Sequence, residues 1–282
     1  MEPSLKQSGI EAKRSGMARK EFRPLRGPGP KLSLPHLHAI IAVASGKGGV
    51  GKSTVAANLA AALAQKLRVG LLDADIYGPS QSRMMGIGGE RAVAKDGKLQ
   101  PLTAHGMKIM SMGMLADENA PMIWRGPMVQ TAITQMFQDV TWGELDVLVV
   151  DLPPGTGDAQ LTLAQKVDVT GAVIVSTPQD IALLDARKAV GMFQKTNVPV
   201  WGMVENMSFY CCPNCGERAE IFHSGGTART AEKLGLPFLG AVPLDAAVCD
   251  SGEDGTPIVL AAPDSPAGQA FRAIAEAIFS LT

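Results

Sequence analysis

A glycine-rich segment with two lysines has the residue types and the spacing needed to bind phosphate. Residues 46–54 read GKGGVGKST, which satisfies the G-x-x-x-x-G-K-[ST] pattern of a phosphate-binding loop. Glycines allow successive backbone N–H groups to point inward around a phosphate. We expect Lys52 to bridge the β- and γ-phosphates of a nucleotide and the Ser53 hydroxyl to bind Mg²⁺. The predicted nucleotide contacts in this loop are Gly46, Lys47, Gly48, Gly49, Val50, Gly51, Lys52, Ser53 and Thr54.

Carboxylates follow two apolar runs that have the character of buried strands. Asp73 and Asp75 follow the first run, and Asp151 ends the second. The carboxyl ends of parallel strands form the ligand-binding edge of an α/β sheet. Asp151 is therefore predicted to act on Mg²⁺ through a bound water or through Ser53, with Asp73 supporting the same metal site. Asp75 is predicted to orient or deprotonate the attacking water, and the alternative for each acid is a helix cap or a turn.

A second chemical feature is a pair of cysteines, Cys212 and Cys215, in a C-x-x-C turn. Such a turn brings two thiolates close together, as a soft metal requires. Zinc and cubane clusters take about four ligands, and the sequence contains no second pair. Two chains of a symmetric dimer would supply four cysteines. The pair alone leaves zinc, an iron–sulfur cluster, a redox dithiol and a chance occurrence open. Cys211 and Cys249 are predicted to be small buried apolar residues.

Alternating strands and helices are predicted to position these groups. The apolar runs predict strands at 39–44, 69–73, 108–112, 147–151, 172–176, 200–204 and 238–242. One helix follows the phosphate-binding loop, and later helical patterns occur at 128–137, 182–193, 227–234 and 266–279. Continuously apolar strands are typical of parallel sheets covered on both faces. The predicted fold class is therefore α/β, with a doubly wound and mostly parallel sheet.

The composition excludes several classes of protein. The 282-residue chain is 46% hydrophobic, which is enough for a buried core, and its formal net charge of -1 argues against a general nucleic-acid binder. No run approaches the ~18 apolar residues of a membrane-spanning helix, so no membrane insertion is expected. Basic residues and prolines are concentrated near the N-terminus. This predicts a flexible basic arm at 1–35, with mitochondrial targeting as the alternative role, and a nucleotide-binding domain at 36–282.

The early lysine of the loop, Lys47, resembles that of the deviant Walker A ATPases. This P-loop NTPase group contains the Min and Par partitioning proteins, the arsenite-pump ATPase and the nitrogenase iron protein. The resemblance implies that Lys47 reaches across a dimer interface to the partner subunit's nucleotide; the alternative is a solvated lysine. It also implies that Asn206 and Asp245, after two late strands, contact adenine. The Asn-Lys-x-Asp motif that reads guanine does not occur, so ATP is favoured over GTP.

The whole set of motifs resembles the Mrp-type (ApbC-like) iron–sulfur carrier ATPases over about residues 36–280. The matching segments are 43–53, 73–80, 124–127, 151–158, 176–180, 206–207 and 212–215. The resemblance implies a homodimer that holds a 4Fe–4S cluster between two Cys212/Cys215 pairs, on a loop inserted at 208–217. It also implies transfer of the cluster to apo-proteins, regulated by slow ATP hydrolysis. The family's mitochondrial branch, to which this sequence is very similar, serves respiratory complex I, whose subunits are candidate clients.

Two other functions are weighed against cluster carriage. A partitioning or positioning ATPase acts on DNA or membrane and favours a basic C-terminal helix, whereas the last predicted helix carries only Arg272 as a cation. A reductase would pass electrons through the same bridging cluster, and the sequence does not separate it from a carrier.

Trp124 and Arg125 are predicted to order a loop near the switch region. The predicted compartment is the bacterial cytoplasm, with the mitochondrial matrix as the alternative.

Overall fold

The computed structural model describes residues 31–32, 34, 36–115, 126–212 and 214–281. Trp124, Arg125 and most of the predicted arm at 1–35 lie outside the described residues. The strands are β1 (Leu37–Ser45), β2 (Val69–Asp73), β3 (Val93–Lys95), β4 (Lys98–Gln100), β5 (Leu102–Ala104), β6 (Met107–Ser111), β7 (Leu145–Asp151), β8 (Gly171–Ser176), β9 (Val200–Glu205), β10 (Tyr210–Cys211), β11 (Arg218–Ala219) and β12 (Phe238–Ala241). The helices are α1 (Lys52–Leu63), α2 (Gln81–Met84), α3 (Gly126–Gln138), α4 (Asp158–Lys166), α5 (Asp180–Lys195), α6 (Gly226–Leu234), α7 (Ala246–Glu253), α8 (Ile258–Ala261) and α9 (Pro266–Phe279).

The central element is an eight-stranded sheet with the order β12-β9-β8-β1-β7-β2-β6-β5. Neighbouring strands are parallel throughout, except that β5 pairs antiparallel with β6 at one edge. Helices flank the sheet, with α1 packed against α8 and α9 and with α5 packed against α6. This architecture confirms the predicted α/β class and the doubly wound, mostly parallel sheet.

The inner strands are buried because both faces of the sheet are covered. Every residue of β2 and β8 is buried, as is β1 from Ala39 onward, so their continuous apolar runs have no solvent-facing side. In α9 the side chains of Phe271, Ile274 and Ile278 are almost fully buried, which identifies it as a core helix. No helix in the described part of the chain has the length and apolar character that crossing a bilayer requires.

Two small antiparallel features were not predicted, although the sequence contains a signal for each. The β3–β4 hairpin turns at Asp96 and Gly97, and the β5–β6 hairpin turns at His105 and Gly106. All four residues have positive φ, as expected of two-residue turns that match the twist of the strands. β3 is exposed throughout, so it has no continuous apolar run of the kind that predicts a buried strand.

The register of the sheet brings the predicted acids to one edge. Asp73 at the end of β2 is the Cα partner of Asp151 at the end of β7, and on its other side it is the partner of Ser111 at the end of β6. Asp151 is also the Cα partner of Val43, near the end of β1. The phosphate-binding loop follows β1 directly, so these acids lie at the same edge of the sheet as the loop.

Candidate functional site

The phosphate-binding loop joins β1 to α1, as predicted, and two of its glycines are required by close packing. A Cβ on Gly46 would lie 2.0 Å from the carbonyl carbon of Asp185 in α5. A Cβ on Gly51, which has φ +77, would lie 2.0 Å from Nδ2 of Asn206. Neighbouring backbone and side chains therefore hold the loop against the sheet edge, which pre-forms its path. Lys47 is half-exposed on this loop, and its predicted role across a dimer interface stays a prediction.

Lys52, the first residue of α1, points into a buried acidic cluster. Its side chain is only 6% exposed, and its Nζ donates to Oδ1 of Asp151. The same Nζ lies 3.2 Å from the Ser53 hydroxyl oxygen and 3.9 Å from Oδ2 of Asp75. The predicted phosphate lysine, the predicted magnesium hydroxyl and two predicted site acids therefore form one cluster.

The other oxygen of Asp151 is held by a residue that the sequence patterns do not single out. Gln81, at the start of α2, donates from Nε2 to Oδ2 of Asp151 at 2.8 Å and to the carbonyl oxygen of Ser53 at 2.9 Å. Gln81 is fully buried. The only sequence signal is its position directly after the motif at 73–80, since a glutamine there has no spacing rule of its own.

Asp73 organises the segment between β2 and α2. Its Oδ2 accepts from the backbone N–H groups of Ser80 and Gln81 and from the Ser111 hydroxyl, while Oδ1 accepts from the backbone N–H of Asp75. Burial raises the pKa of Asp73 to about 7, and the negative charge of Asp151 adds to the rise. The structure thus gives Asp73 four partners within the chain, and its role at magnesium stays a prediction.

Asp75 borders a cavity of about 510 Å³, which the segment after Asp151 also lines. Tyr77, Pro153, Pro154 and Gln160 also line this cavity. The Oδ1 atom of Asp75 is buried and has no hydrogen-bond partner among the described residues. Burial raises the pKa of Asp75, against the opposing positive charge of Lys52. A carboxylate with a raised pKa is a better proton acceptor, which suits the predicted action on water.

The loop after Asp151 is attached to the strand that carries the phosphate-binding loop. The backbone N–H of Leu152 donates to the carbonyl oxygen of Val43, and that of Gly155 donates to the carbonyl oxygen of Ser45. Gly155 has φ +91, a backbone conformation that favours glycine. The loop after Asp151 is therefore positioned by β1, the strand that leads into the phosphate-binding loop.

Asn206 and Asp245, the predicted adenine contacts, both follow strands at the same sheet edge. The Asn206 side chain is buried, and its Nδ2 donates to the carbonyl oxygen of Val50 in the phosphate-binding loop at 2.9 Å. Asp245 is half-buried and caps α7 by accepting from the backbone N–H of Ala247 at 3.0 Å. Both therefore have structural partners, and their contact with adenine stays a prediction.

The cysteine pair lies on a small hairpin formed by β10 and β11. The backbone N–H of Cys212 donates to the carbonyl oxygen of Glu217, and that of Gly216 donates back to Cys212. Cys212 is half-buried and Cys215 is exposed. Backbone N–H donors from Cys215 and Asn214, together with the Cys215 thiol, lower the pKa of Cys212. A lowered pKa favours the thiolate, the form that binds metals.

The remaining two cysteines differ from their predicted burial. Cys249 is exposed on α7, and Cys211 is only half-buried. Cys211 lies in the two-residue strand β10, which pairs with β11 outside the main sheet. Among the described residues, no group of three or more His, Cys, Asp or Glu side chains is arranged to hold a metal ion.

A buried glutamate joins the cysteine segment to the nucleotide loop. Oε1 of Glu205 accepts from the Ser208 hydroxyl at 2.6 Å and from the backbone N–H of Gly225 at 2.8 Å, and Oε2 accepts from the backbone N–H of Thr227 at 2.7 Å. Glu205 is fully buried and directly precedes Asn206 in the chain. The sequence analysis missed this residue, whose only signal is an acid at the end of an apolar strand.

Comparison with known proteins identifies close relatives along most of the chain. A family model described as ParA, NUBPL iron-transfer P-loop NTPase, matches residues 36–279. An iron–sulfur cluster carrier protein of Pseudomonas fragi is 53% identical, with 86% of this chain and 85% of the relative covered. The iron–sulfur protein required for NADH dehydrogenase, a mitochondrial protein of Arabidopsis thaliana, is 50% identical, covering 87% and 79%. The iron–sulfur cluster transfer protein NUBPL of Mus musculus is 47% identical, covering 90% and 80%.

Solved structures show the same fold. A nucleotide-binding protein of Archaeoglobus fulgidus, solved in complex with ADP, is 41% identical with a TM-score of 0.70, covering 78% of this chain and 87% of that chain. The cell division ATPase MinD of Pyrococcus furiosus has a TM-score of 0.64 at 20% identity, covering 86% and 99%. The second likeness supports the fold alone. The first adds a protein with bound nucleotide whose sequence is closely related to this chain.

Proposed function

Because the chain belongs to the NUBPL iron-transfer P-loop NTPase family, we propose that it is an ATP-hydrolysing carrier of iron–sulfur clusters. It binds a 4Fe–4S cluster as cargo and passes the cluster to apo-proteins. The relatives named as carrier and transfer proteins support this function at 47–53% identity. The observation that carries it is the connection of the cysteine hairpin to the phosphate-binding loop through Glu205 and Asn206.

The proposed cluster site is shared by two copies of the chain. One chain offers Cys212 and Cys215, whereas a 4Fe–4S cluster takes about four thiolates. A two-fold axis close to the hairpin brings two identical pairs together, because each copy contributes the same surface. The exposure of Cys215 and the lowered pKa of Cys212 support ligation by a partner-completed site. In such a dimer Lys47 extends toward the partner's nucleotide.

The nucleotide part of the proposal assigns roles to the buried acidic cluster. Lys52 contacts the β- and γ-phosphates. Ser53 and Asp151 would hold a magnesium ion, with Asp73 in support, and the ion would neutralise phosphate charge. Asp75 accepts a proton from the water that attacks the γ-phosphorus, the bond to the β–γ bridging oxygen breaks, and ADP and phosphate leave. The residue set fits a magnesium-bound nucleotide, since residues 46–54 satisfy the phosphate-binding pattern. In addition, the buried Oδ1 of Asp75 and Oε1 of Gln81 have no donor among the described residues.

Slow hydrolysis would time the assembly or release of the cluster rather than drive a chemical step. Asn206 and Asp245 contact adenine in this proposal, which makes ATP the nucleotide.

The clients are apo iron–sulfur proteins, and the mitochondrial relative required for NADH dehydrogenase adds complex I subunits to the candidates. The compartment is the cytoplasm in a bacterium or the mitochondrial matrix. Carriage is preferred over positioning on DNA or membrane because the positioning function leaves Cys212 and Cys215 without a role.

Anaerobic reconstitution with iron and sulfide tests the proposal. We expect about four irons per dimer and the visible absorption of a cubane cluster, both lost in a Cys212→Ser/Cys215→Ser variant. Cys249→Ser, on the exposed surface of α7, is the matched control and should bind as the wild type does. Equal iron in the wild type and the double variant would exclude the cluster site.

Mixing the loaded protein with an apo-protein that has an empty four-cysteine site separates carriage from electron transfer. A carrier loses its iron to the acceptor, and the rate of loss changes when ATP is added. A reductase retains its iron while the redox state of its cluster changes. Retention of iron under all nucleotide conditions would favour the reductase.

A further inference from the structure

The buried side chain of Gln81 contacts three structural elements of the nucleotide site at once. Its Nε2 lies 2.8 Å from Oδ2 of Asp151, at the end of β7, and 2.9 Å from the carbonyl oxygen of Ser53, in the first turn of α1. Its backbone N–H donates to Oδ2 of Asp73, at the end of β2, at 3.0 Å. No other described glutamine makes this set of contacts. Ser53 and Asp151 are residues that would hold magnesium, and the Gln81 amide bridges the main chain of the first and the carboxylate of the second.

Gln81 also completes the fixation of the Asp151 carboxylate. Lys52 donates to one oxygen of that carboxylate and Gln81 to the other. A carboxylate that is held at both oxygens does not rotate freely, so its orientation toward a metal is set before the metal arrives. Residues that orient metal ligands through hydrogen bonds commonly change metal affinity about 10- to 100-fold.

The remaining polar atom of Gln81 lacks a partner. Oε1 is buried and accepts no hydrogen bond from the described residues. A buried acceptor without a donor is unfavourable, and a donor brought to it would stabilise the site. Magnesium usually retains several of its waters, each of which donates hydrogen bonds. A magnesium-bound water therefore has the chemistry that this position requires.

We propose that Gln81 is a positioning residue for magnesium. Its Nε2 holds Asp151 and Ser53 in register, and its Oε1 accepts a hydrogen bond from a water in the shell of the ion. The proposal rests on the proposed nucleotide function, and it adds the segment between β2 and α2 to the groups that sense the ion. Any residue except proline at position 81 retains the backbone hydrogen bond to Asp73, so side-chain variants test the amide alone.

The test measures the affinity of the full-length chain for a fluorescent ADP analogue, with magnesium and again with EDTA. Gln81→Met has nearly the same length and no amide, and Gln81→Asn retains an amide that is one methylene too short to span both partners. With magnesium we expect Gln81→Met to bind about tenfold more weakly or worse, and Gln81→Asn to fall between it and the wild type. With EDTA all three should agree within about twofold, because the lost contacts act through the ion.

Gln65→Met, near the C-terminal end of α1, is the matched control, since its amide contacts only the carbonyl oxygen of Ala61 among the described residues. It should resemble the wild type under both conditions. Circular dichroism and urea unfolding verify that each variant is folded. If magnesium strengthens binding equally in the wild type and Gln81→Met, Gln81 only packs and the inference is wrong. If the wild type binds no nucleotide, the proposed function itself fails.

Discussion

The side-chain amide of Asn206 donates to the carbonyl oxygen of Val50 at 2.9 Å and thereby connects the end of β9 to the phosphate-binding loop. The preceding residue, Glu205, accepts hydrogen bonds from Ser208 and Gly225, on either side of the cysteine hairpin. Two adjacent residues therefore contact the two candidate sites. One peptide unit thus connects the phosphate-binding loop to the two residues that flank the cysteine hairpin.

Asn206→Ala should weaken ADP binding about tenfold, because the buried carbonyl of Val50 loses its donor. Isothermal titration with ADP and with inorganic pyrophosphate separates the two roles of Asn206. If the residue supports the loop, affinity falls for both ligands, since both contact the loop. A loss for ADP alone would show that adenine contact is its main role. Gln194→Ala, on the exposed face of α5, is the control.

Glu205→Ala should loosen the cysteine hairpin and destabilise the protein by about 1–3 kcal/mol, because buried donors lose their acceptor. Urea unfolding measures the stability, and hydrogen exchange measures protection of the Cys212 and Gly216 amides. We also expect a bound cluster to be lost faster from this variant. Glu144→Ala, at an exposed carboxylate, is the reference. Unchanged protection in the hairpin would contradict the anchoring role of Glu205.

Asp75→Asn should lower the hydrolysis rate about 10²- to 10⁴-fold, because the amide cannot accept the proton of the attacking water. Nucleotide affinity should change little, because asparagine has the same shape as aspartate. In addition, Oδ2 of Asp75 is 3.9 Å from Nζ of Lys52, which is beyond hydrogen-bond distance. Steady-state phosphate release and ADP titration measure the two quantities. Asp96→Asn, in the exposed turn between β3 and β4, controls for loss of charge. A full rate in Asp75→Asn would assign the proton transfer to another group.

Acid stability should depend on Arg68 and Asp146. Hydrogen bonds from Arg68 hold the pKa of Asp146 at about 2, below its ordinary value of 3.8. A carboxyl whose pKa is lowered on folding stabilises the protein above its unfolded pKa, and this contribution is lost as the pH falls from about 4 to about 2. Arg68→Ala should therefore be less stable than the wild type at pH 6, with a smaller difference at pH 3. Urea midpoints at both pH values test this, and an equal difference would contradict it.

Features specified by local sequence were predictable. The loop at 46–54, the cysteine pair and the apolar strands each follow from spacing, and the strand ends placed Asp73 and Asp151 at one edge. The hairpin at Asp96 and Gly97 was also predictable, because an Asp-Gly pair is a turn signal that does not depend on an apolar run.

The contacts of buried polar side chains were not predictable. Gln81 is bonded to Ser53 and Asp151, which are 28 and 70 residues away in the sequence. Glu205 accepts from backbone N–H groups of Gly225 and Thr227, which are 20 and 22 residues away in the sequence. A single sequence shows that such residues are polar but not which distant group satisfies them. The predicted burial of Cys249 was wrong for a related reason, since residue type alone does not say which face of α7 meets the core.

Glu205 holds both ends of the cysteine segment, because Ser208 and Gly225, which flank residues 209–224 in the sequence, both donate to its carboxylate. Ser208 and Gly225 share one oxygen atom of that carboxylate, so the chain leaves and returns at nearly the same point. Closing such a gap with a short turn has a small entropic cost. The sheet therefore constrains the length of the segment between these ends only weakly, although Phe209 and Tyr210 also contact Leu244 outside it. An insertion or deletion within the segment would leave its two ends where Glu205 holds them.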